Sequence, residues 1–277
     1  MNKLNTFFHK IKKSLFYLIY RTKRFFRVIF KIDQKIYISD KKLLLPPGHL
    51  LSLYNYSHKE YDKFLPKIIS NIKATESIID IGANIGDTLF RLINSNSKPN
   101  FYCIEADEFF FKYLKKNKDF LDPYLQENIF LIKELVGDNL TGNLSKSSTG
   151  TKTLIESSSG NKTKKLDQII KDHKIENIKL IKVDVDGYDY NVLFSAMNEI
   201  SKNKPDLFFE YFILNETSQE GYIKLIKKLF DVGYSNWIIL DNYGSIILET
   251  KNINDILKLI ERSNKNKTVF DIYCKFH

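Results

Sequence analysis

The run Asp80-Ile81-Gly82-Ala83-Asn84-Ile85-Gly86-Asp87 stands between an apolar stretch and a helix-patterned one. Gly82 suits a tight backbone turn at a strand end, and Gly86 admits either a ligand or close packing of the helix that follows. Glu105 closes the next apolar stretch, Phe101-Tyr102-Cys103-Ile104-Glu105, roughly 20 residues beyond the turn, where a carboxylate can accept both hydroxyl protons of an adenosine ribose. Together the two features predict an adenosine-containing cofactor. A dinucleotide would bring a pyrophosphate, which wants the full G-x-G-x-x-G run and an uncovered helix N-terminus. Here Asn84 replaces the middle glycine and Asp87 puts an anion in the first helical turn. S-adenosylmethionine brings a sulfonium and an ammonium, for which Asp80 and the neighbouring acids are favourable, so charge balance selects it over a nicotinamide dinucleotide.

A second cluster is Lys179-Leu180-Ile181-Lys182-Val183-Asp184-Val185-Asp186-Gly187-Tyr188-Asp189. Its first half reads as a strand, so Lys182 and Asp184, two apart, point to one face. Both fall at the carboxyl end of a central strand, where open α/β sheets bind ligands. A lysine inside such a strand is costly unless paired, which favours a functional role for it and for Asp184. Asp186 and Asp189 can instead cap the next helix, Asp186 being the expected cap. Glu210 ends the following strand, Leu207-Phe208-Phe209-Glu210-Tyr211, as a third pocket-facing group. No histidine joins these acids, and no metal site is expected.

The elements that must hold these residues alternate. Ser77–Ile81, Phe101–Ile104, 129–136, Ile178–Val183 and 206–212 read as strands; helices are expected through Arg91 and over 107–117, 166–173, 188–200 and 220–232. That alternation argues an α/β, doubly wound, mostly parallel sheet. Hairpin-like pairs at 237–240 and 245–248, with a last apolar run at 269–276, close it with an antiparallel edge. Ahead of the Gly turn lie a short strand at Ile36–Ile38, a Pro-Gly turn at 46–48 and a helix over 61–72. The polar tract 138–165 is a loop or irregular hairpin, either a cover for the site or a surface excursion.

The chain has 277 residues, 43% of them hydrophobic, with only 2 cysteines and a formal charge of +10. Wholesale disorder and disulfide scaffolds are excluded, and Cys103 and Cys274, each in an apolar run, read as small buried hydrophobes. Residues 1–35 hold ten cations and one anion, leaving the remainder near neutrality. At helical spacing they place Leu4, Phe8, Ile11, Leu15, Leu18, Ile19, Phe26 and Ile29 on one stripe, a basic amphipathic helix. Its longest uncharged run, 14–20, is far too short to cross a bilayer. Such a segment suits an anionic membrane surface; the competing readings are nucleic-acid attachment and packing of its aromatic face onto the domain. The chain divides into this appendage (1–35), a lead-in strand and helix (36–74) and a catalytic domain (75–277).

The sequence resembles the FkbM-type S-adenosylmethionine-dependent methyltransferases. D-I-G-A-N-I-G at 80–86, strand-end Glu105 with Phe111 to Asn117, Leu166-Asp167, and K-V-D-V-D-G-Y-D at 182–189 with Val192-Leu193 carry the likeness, over about residues 42–215. The D-x-D-G-Y-D form and the lead-in Leu45-Pro46-Pro47-Gly48-His49 are similar to a branch associated with surface glycans. The resemblance implies a class I (Rossmann-like) methyltransferase fold of seven strands, one of them antiparallel, and methylation of a hydroxyl, typically on a sugar. By position it implies that Asp80, Gly82 and Asn84, with Gly86 in the same turn, serve the methionine portion of the cofactor, Glu105 the ribose, and Gly137 or Asp138 the adenine edge.

A sugar hydroxyl is a poor nucleophile at neutral pH and needs a base or stabilisation of the emerging alkoxide. Asp184 or Glu210 is expected to take the proton, with Lys182 tuning the carboxylate or steadying the alkoxide; His49 and His58 are reserves. The expected partner is a glycan or sugar acceptor, and the expected location is the cytoplasm, peripheral to the inner membrane face. An RNA methyltransferase is the first rival. Base-amino methylation uses a D/N-P-P-Y/F turn where this chain has V-D-G-Y, which disfavours a nucleic-acid partner and leaves RNA ribose methylation, through Lys182 and Asp184 with the basic N-terminus holding the nucleic acid, as the alternative. A non-catalytic cofactor-binding scaffold would require a damaged cofactor site, and none is visible.

Overall fold

The computed structural model describes residues 3–58, 60, 63–93, 98–146, 152–266 and 268–276. The chain begins with α1 (Lys3–Ile29), then the hairpin β1 (Gln34–Ile38) and β2 (Lys41–Leu45), α2 (Leu51–Ser57), α3 (Phe64–Ile68) and a 3-10 turn at Ile69–Asn71. The alternating region follows: β3 (Ser77–Ile81), α4 (Asp87–Leu92), β4 (Asn100–Ile104), α5 (Glu108–Lys118), α6 (Pro123–Gln126) and β5 (Ile129–Ile132). The polar tract holds β6 (Thr141–Lys146), β7 (Lys152–Glu156) and β8 (Asn161–Lys162). Beyond it come α7 (Leu166–Asp172), β9 (Ile178–Val183), α8 (Asp189–Phe194), α9 (Met197–Asn203), β10 (Asp206–Tyr211), α10 (Glu216–Val232), β11 (Tyr234–Asp241), β12 (Ile246–Thr250), α11 (Ile253–Asn266) and β13 (Phe270–Phe276).

One sheet organises the molecule, in the order β12-β11-β13-β10-β9-β3-β4-β5. Strands β10, β9, β3, β4 and β5 are parallel, and β13 inserts antiparallel between β10 and β11. The expected antiparallel edge is therefore present. β12 adds an eighth strand to the seven the resemblance implies, and it too runs against its neighbour β11. Because side chains alternate across a strand, residues one apart feed two cores: Ile79, Ile81, Ile181 and Phe209 pack against α7, α8, α10 and α11, while Ile78, Leu180 and Phe208 pack against the β1–β2 hairpin, α3, α4 and α5. Both cysteines are buried and unbridged.

Several local expectations needed adjustment. The predicted helix 188–200 is two helices, because the Ser195 hydroxyl donates to the Val192 carbonyl (2.6 Å) and accepts the Leu166 N–H (3.0 Å), ending α8. Helix α10 starts four residues early, under a capping box in which Asn215 and Ser218 each bond the other's backbone N–H. The helix expected over 61–72 is a short helix and a 3-10 turn from Phe64 to Asn71; its first two positions lie outside the described residues. The polar tract folds as a three-stranded antiparallel flap, β7-β6-β8. Among the described residues no helix is long and apolar enough to cross a membrane, and no group of His, Cys, Asp and Glu is arranged to hold a metal ion.

Candidate active site

Strand register assembles the site. Asp80 pairs with Cys103 on one side and Lys182 on the other, Lys182 with Phe208, and Phe208 with Tyr273. These five side chains form one buried row across the sheet. Two residues further along each strand, on the same face, stand Glu105, Gly82, Asp184, Glu210 and Asp271. All five line a cavity of about 240 Å³. Residues far apart in the chain thus become neighbours because parallel strands end level with one another, and the chain there turns through short backbone bonds: Gly82 and Ala83 N–H to the Ile104 carbonyl, and Asp184 N–H to the Ile81 carbonyl, each 3.0 Å.

The Gly turn is built by packing as much as by conformation. Gly82 has φ +80°, and a Cβ there would lie 1.9 Å from the Asp184 carbonyl oxygen. Gly86 has φ +91° and heads α4; a Cβ would meet Leu114 of α5 at 2.8 Å. Gly86 does not line the cavity, so of its two expected uses the structure displays helix packing. Asn84, with φ +49°, occupies the left-handed region that asparagine tolerates better than most residues. Its N–H donates to Glu105 Oε2 at 2.8 Å, and Asp107 N–H donates to Oε1 at 2.7 Å. The buried Asn117 then ties the turn to the lead-in, donating to the Leu44 and Ile85 carbonyls and accepting the Leu44 N–H.

Lys182, the cation of the buried row, faces one acid in its own row and one in the next. Lys182 Nζ lies 3.3 Å from Asp80 Oδ1 and 3.1 Å from Asp184 Oδ2. Burial pushes the Asp80 carboxyl up, and Lys182 is the group that pulls it back. Asp80 does not line the cavity. Asp80 sits behind Lys182 as its counter-ion. Burial raises Glu105 to about 7 against its two backbone bonds, and raises Asp189 to about 7 with help from Asp184. Glu210 is pushed well above the carboxylate range, first by burial and then by Asp184, Asp189, Asp271 and Asp186; Asp271 is its cross-strand partner.

Asp186 does not cap α8, whose N-terminus has no side-chain cap. It takes φ +53° and lines the cavity instead, while the buried Asp189 accepts from the Val185 and Glu210 N–H groups and so bolts the β9–α8 turn to β10. Gly137 and Asp138 also lie off the cavity: a Cβ on Gly137 would strike Asn191 and Thr163, and the Asp138 carboxylate pairs with Lys165 at 2.9 Å. From that segment Glu134, Leu135 and Val136 face the cavity, and Leu144, Lys152 and Leu154 of the flap help wall it. Lys152 Nζ reaches Asp107 at 2.5 Å and Thr153 donates to the Asp186 carbonyl at 3.1 Å, so the flap is fastened to both halves of the site. His49 lines the cavity with its pKa lowered by burial, and His58 stacks on Tyr243 at 3.7 Å.

Sequence reasoning passed over Tyr54, Tyr243 and Asp271, which complete the wall. Asp271 had a signal, a lone charge inside the apolar run Val269 to Tyr273; the two tyrosines had none.

A search of curated proteins finds no match. Solved structures with similar chains include an FkbM methyltransferase from Methylobacillus flagellatus KT, 16% identical with a TM-score of 0.43, covering 80% of this chain and 50% of that one. This chain thus spans half the length of that structure. An O-methyltransferase from Bacillus cereus in complex with SAH is 14% identical with a TM-score of 0.46, covering 82% and 88%, and Aeropyrum pernix fibrillarin is 11% identical with a TM-score of 0.43, covering 88% and 82%. The family model for the methyltransferase FkbM domain matches residues 80–235, from the Gly turn through the carboxylate row to the start of β11, and the chain belongs to that methyltransferase family.

Proposed function

We propose that this chain transfers a methyl group from S-adenosylmethionine to a hydroxyl of a sugar, in a surface glycan or its lipid-linked precursor, on the cytoplasmic side of the membrane. The observation that carries the reading is Glu210: a half-buried carboxyl at the cavity wall, held well above the usual range by burial and surrounding acids. A base for a neutral hydroxyl works best when its pKa approaches the working pH, and burial among acids achieves that.

The residues present fit the donor. Asn84 Oδ1 is buried beside the His49 imidazole, at the same cavity as Glu105. Each Glu105 oxygen accepts one backbone N–H and keeps a lone pair for a ribose hydroxyl. Ile104, Leu135 and Val136, with Leu144 and Leu154 of the flap, offer an apolar slot for a base, and the acid row suits a cationic group. When bound, S-adenosylmethionine supplies an electrophilic methyl group on a sulfonium.

The remaining chemistry belongs to the chain. Glu210 accepts the hydroxyl proton and Lys182 steadies the developing negative charge on the acceptor oxygen. Asp184, fixed by Lys182 and half open to the cavity, orients a neighbouring hydroxyl. Tyr54 and Tyr243 supply flat apolar surface for a sugar ring. The test is methyl transfer from tritiated S-adenosylmethionine to nucleotide sugars, lipid-linked saccharides and RNA, run side by side. Label in a saccharide is expected; label in RNA alone, or cofactor binding with no saccharide labelled, defeats the proposal.

A further inference from the structure

Helix α1 presents two faces, and the domain uses only one. Along that face Tyr17 hydrogen-bonds Ser57 at 2.9 Å, Tyr20 donates to the His49 carbonyl at 3.2 Å, Arg24 donates to the Gly48 carbonyl at 2.8 Å and Phe16 stacks on Tyr56 at 3.4 Å. At 3.6 residues per turn these positions share one side of the cylinder. On the opposite side Leu15, Leu18, Ile19, Phe25, Phe26 and Ile29 are each between 45% and 64% exposed, filling an arc roughly 120° wide. The one polar side chain within that arc, Thr22, returns its hydroxyl to the Leu18 carbonyl at 2.9 Å, so it asks nothing of water. Exposed Arg21 and Lys23 stand at the two borders of the arc.

We propose that this open face of α1 lies on an anionic lipid surface, its Leu, Ile and Phe side chains in the acyl boundary and its flanking cations at the headgroups. An apolar stripe bordered on both sides by long cations is the pattern of an interfacial helix, and the stems of Arg and Lys can follow the apolar boundary while their charges stay among the phosphates. Two alternatives fit less well. A second copy of the chain would bring a second helix of net +8 against the first, and nucleic acid has no use for the exposed Leu15, Leu18, Ile19 and Ile29, which cannot stack on bases. The residues that α1 grips, Gly48 to Ser57, include His49 and Tyr54 of the cavity wall, so a helix seated on lipid would hold that wall at the membrane surface.

The inference does not rest on the sugar reading, since it requires no acceptor. Its test is flotation of the full chain with vesicles of equimolar phosphatidylglycerol and phosphatidylcholine, beside phosphatidylcholine alone. The full chain is expected to float with the anionic vesicles, at least tenfold more weakly with the neutral ones and less at high salt. Changing Leu18→Ser, Phe26→Ser and Ile29→Ser together is expected to reduce anionic binding at least tenfold while leaving S-adenosylmethionine binding intact. The proposal is overturned if the full chain ignores anionic vesicles or if the triple variant floats as well as the parent. It is equally overturned if the parent is a dimer in solution that the triple variant converts to monomer, which would make the face a subunit interface.

Discussion

Replacing Lys182 by methionine isolates the charge arrangement on which the site depends. Lys182 is 4% exposed and Asp80 3%, and their 3.3 Å ion pair is the compensation for burying the Asp80 carboxylate, whose two oxygens have no hydrogen-bond partner among the described residues. Removing one member of a buried pair costs roughly 3–5 kcal/mol. An independent route gives a similar figure: without Lys182, Asp80 must fold protonated, and protonating a carboxyl of ordinary pKa at pH 7 costs about 1.4 kcal/mol for each of about three pH units. The second route fixes a pH signature. In the variant the folded state keeps a proton that the unfolded state has released, so stability falls as pH rises above the unfolded pKa. The deficit relative to the parent should therefore shrink by about 1.4 kcal/mol per unit as pH is lowered from about 7 to about 5. Urea denaturation followed by Trp237, the single tryptophan and fully buried, reads this directly. The double variant Lys182→Met with Asp80→Asn should recover most of the loss. A Lys182→Met deficit below about 1 kcal/mol and independent of pH would refute the pairing, because no other described mechanism makes that deficit titrate.

Glu105→Gln should weaken S-adenosylmethionine binding at least tenfold by calorimetry, since an amide nitrogen would oppose one of the N–H donors from Asn84 and Asp107. Glu210→Gln should lower kcat by about a hundredfold or more with cofactor affinity retained; in the parent, the rate should climb with pH as the raised Glu210 carboxyl loses its proton, and a profile flat through neutrality would count against it as the base. Gly82→Ala should destabilise far more than Gly86→Ala, although both have positive φ, because the first places a Cβ on the Asp184 backbone and the second against the end of a leucine side chain. Thermal denaturation of the pair with equal shifts would show that the turn can yield.

The local features were legible because their causes are local. Strands β3 and β9 fall on the expected residues, since an apolar run bounded by Gly or acidic turns leaves little choice. Glu105 was found because a fixed number of residues separates a Gly turn from the end of the next parallel strand. The charge of residues 1–35 likewise announced an amphipathic helix, and α1 covers most of that segment. Where contacts are short in sequence, Asn215 with Ser218 or Asp107 with the first turn of α5, the signal existed even when its consequence was placed a few residues off.

The division of labour among the acids was another matter. Asp80 and Asp184 look alike in the chain, each flanked directly by two apolar residues near a strand end, yet one is walled in behind Lys182 and the other opens to the cavity. That difference comes from register between strands about a hundred residues apart in sequence, and register follows from burying both faces of the sheet at once. Asp271 joins Glu210 because β13 is inserted between β10 and β11. The amphipathic pattern of α1 likewise could not say which face meets the domain: Tyr17, Tyr20 and Arg24 hydrogen-bond Ser57, His49 and Gly48 beside the site, and its most apolar face is turned away. Composition and spacing dictate what each segment can do, and the competition among segments for one sheet and one interior settles which of those possibilities each residue carries out.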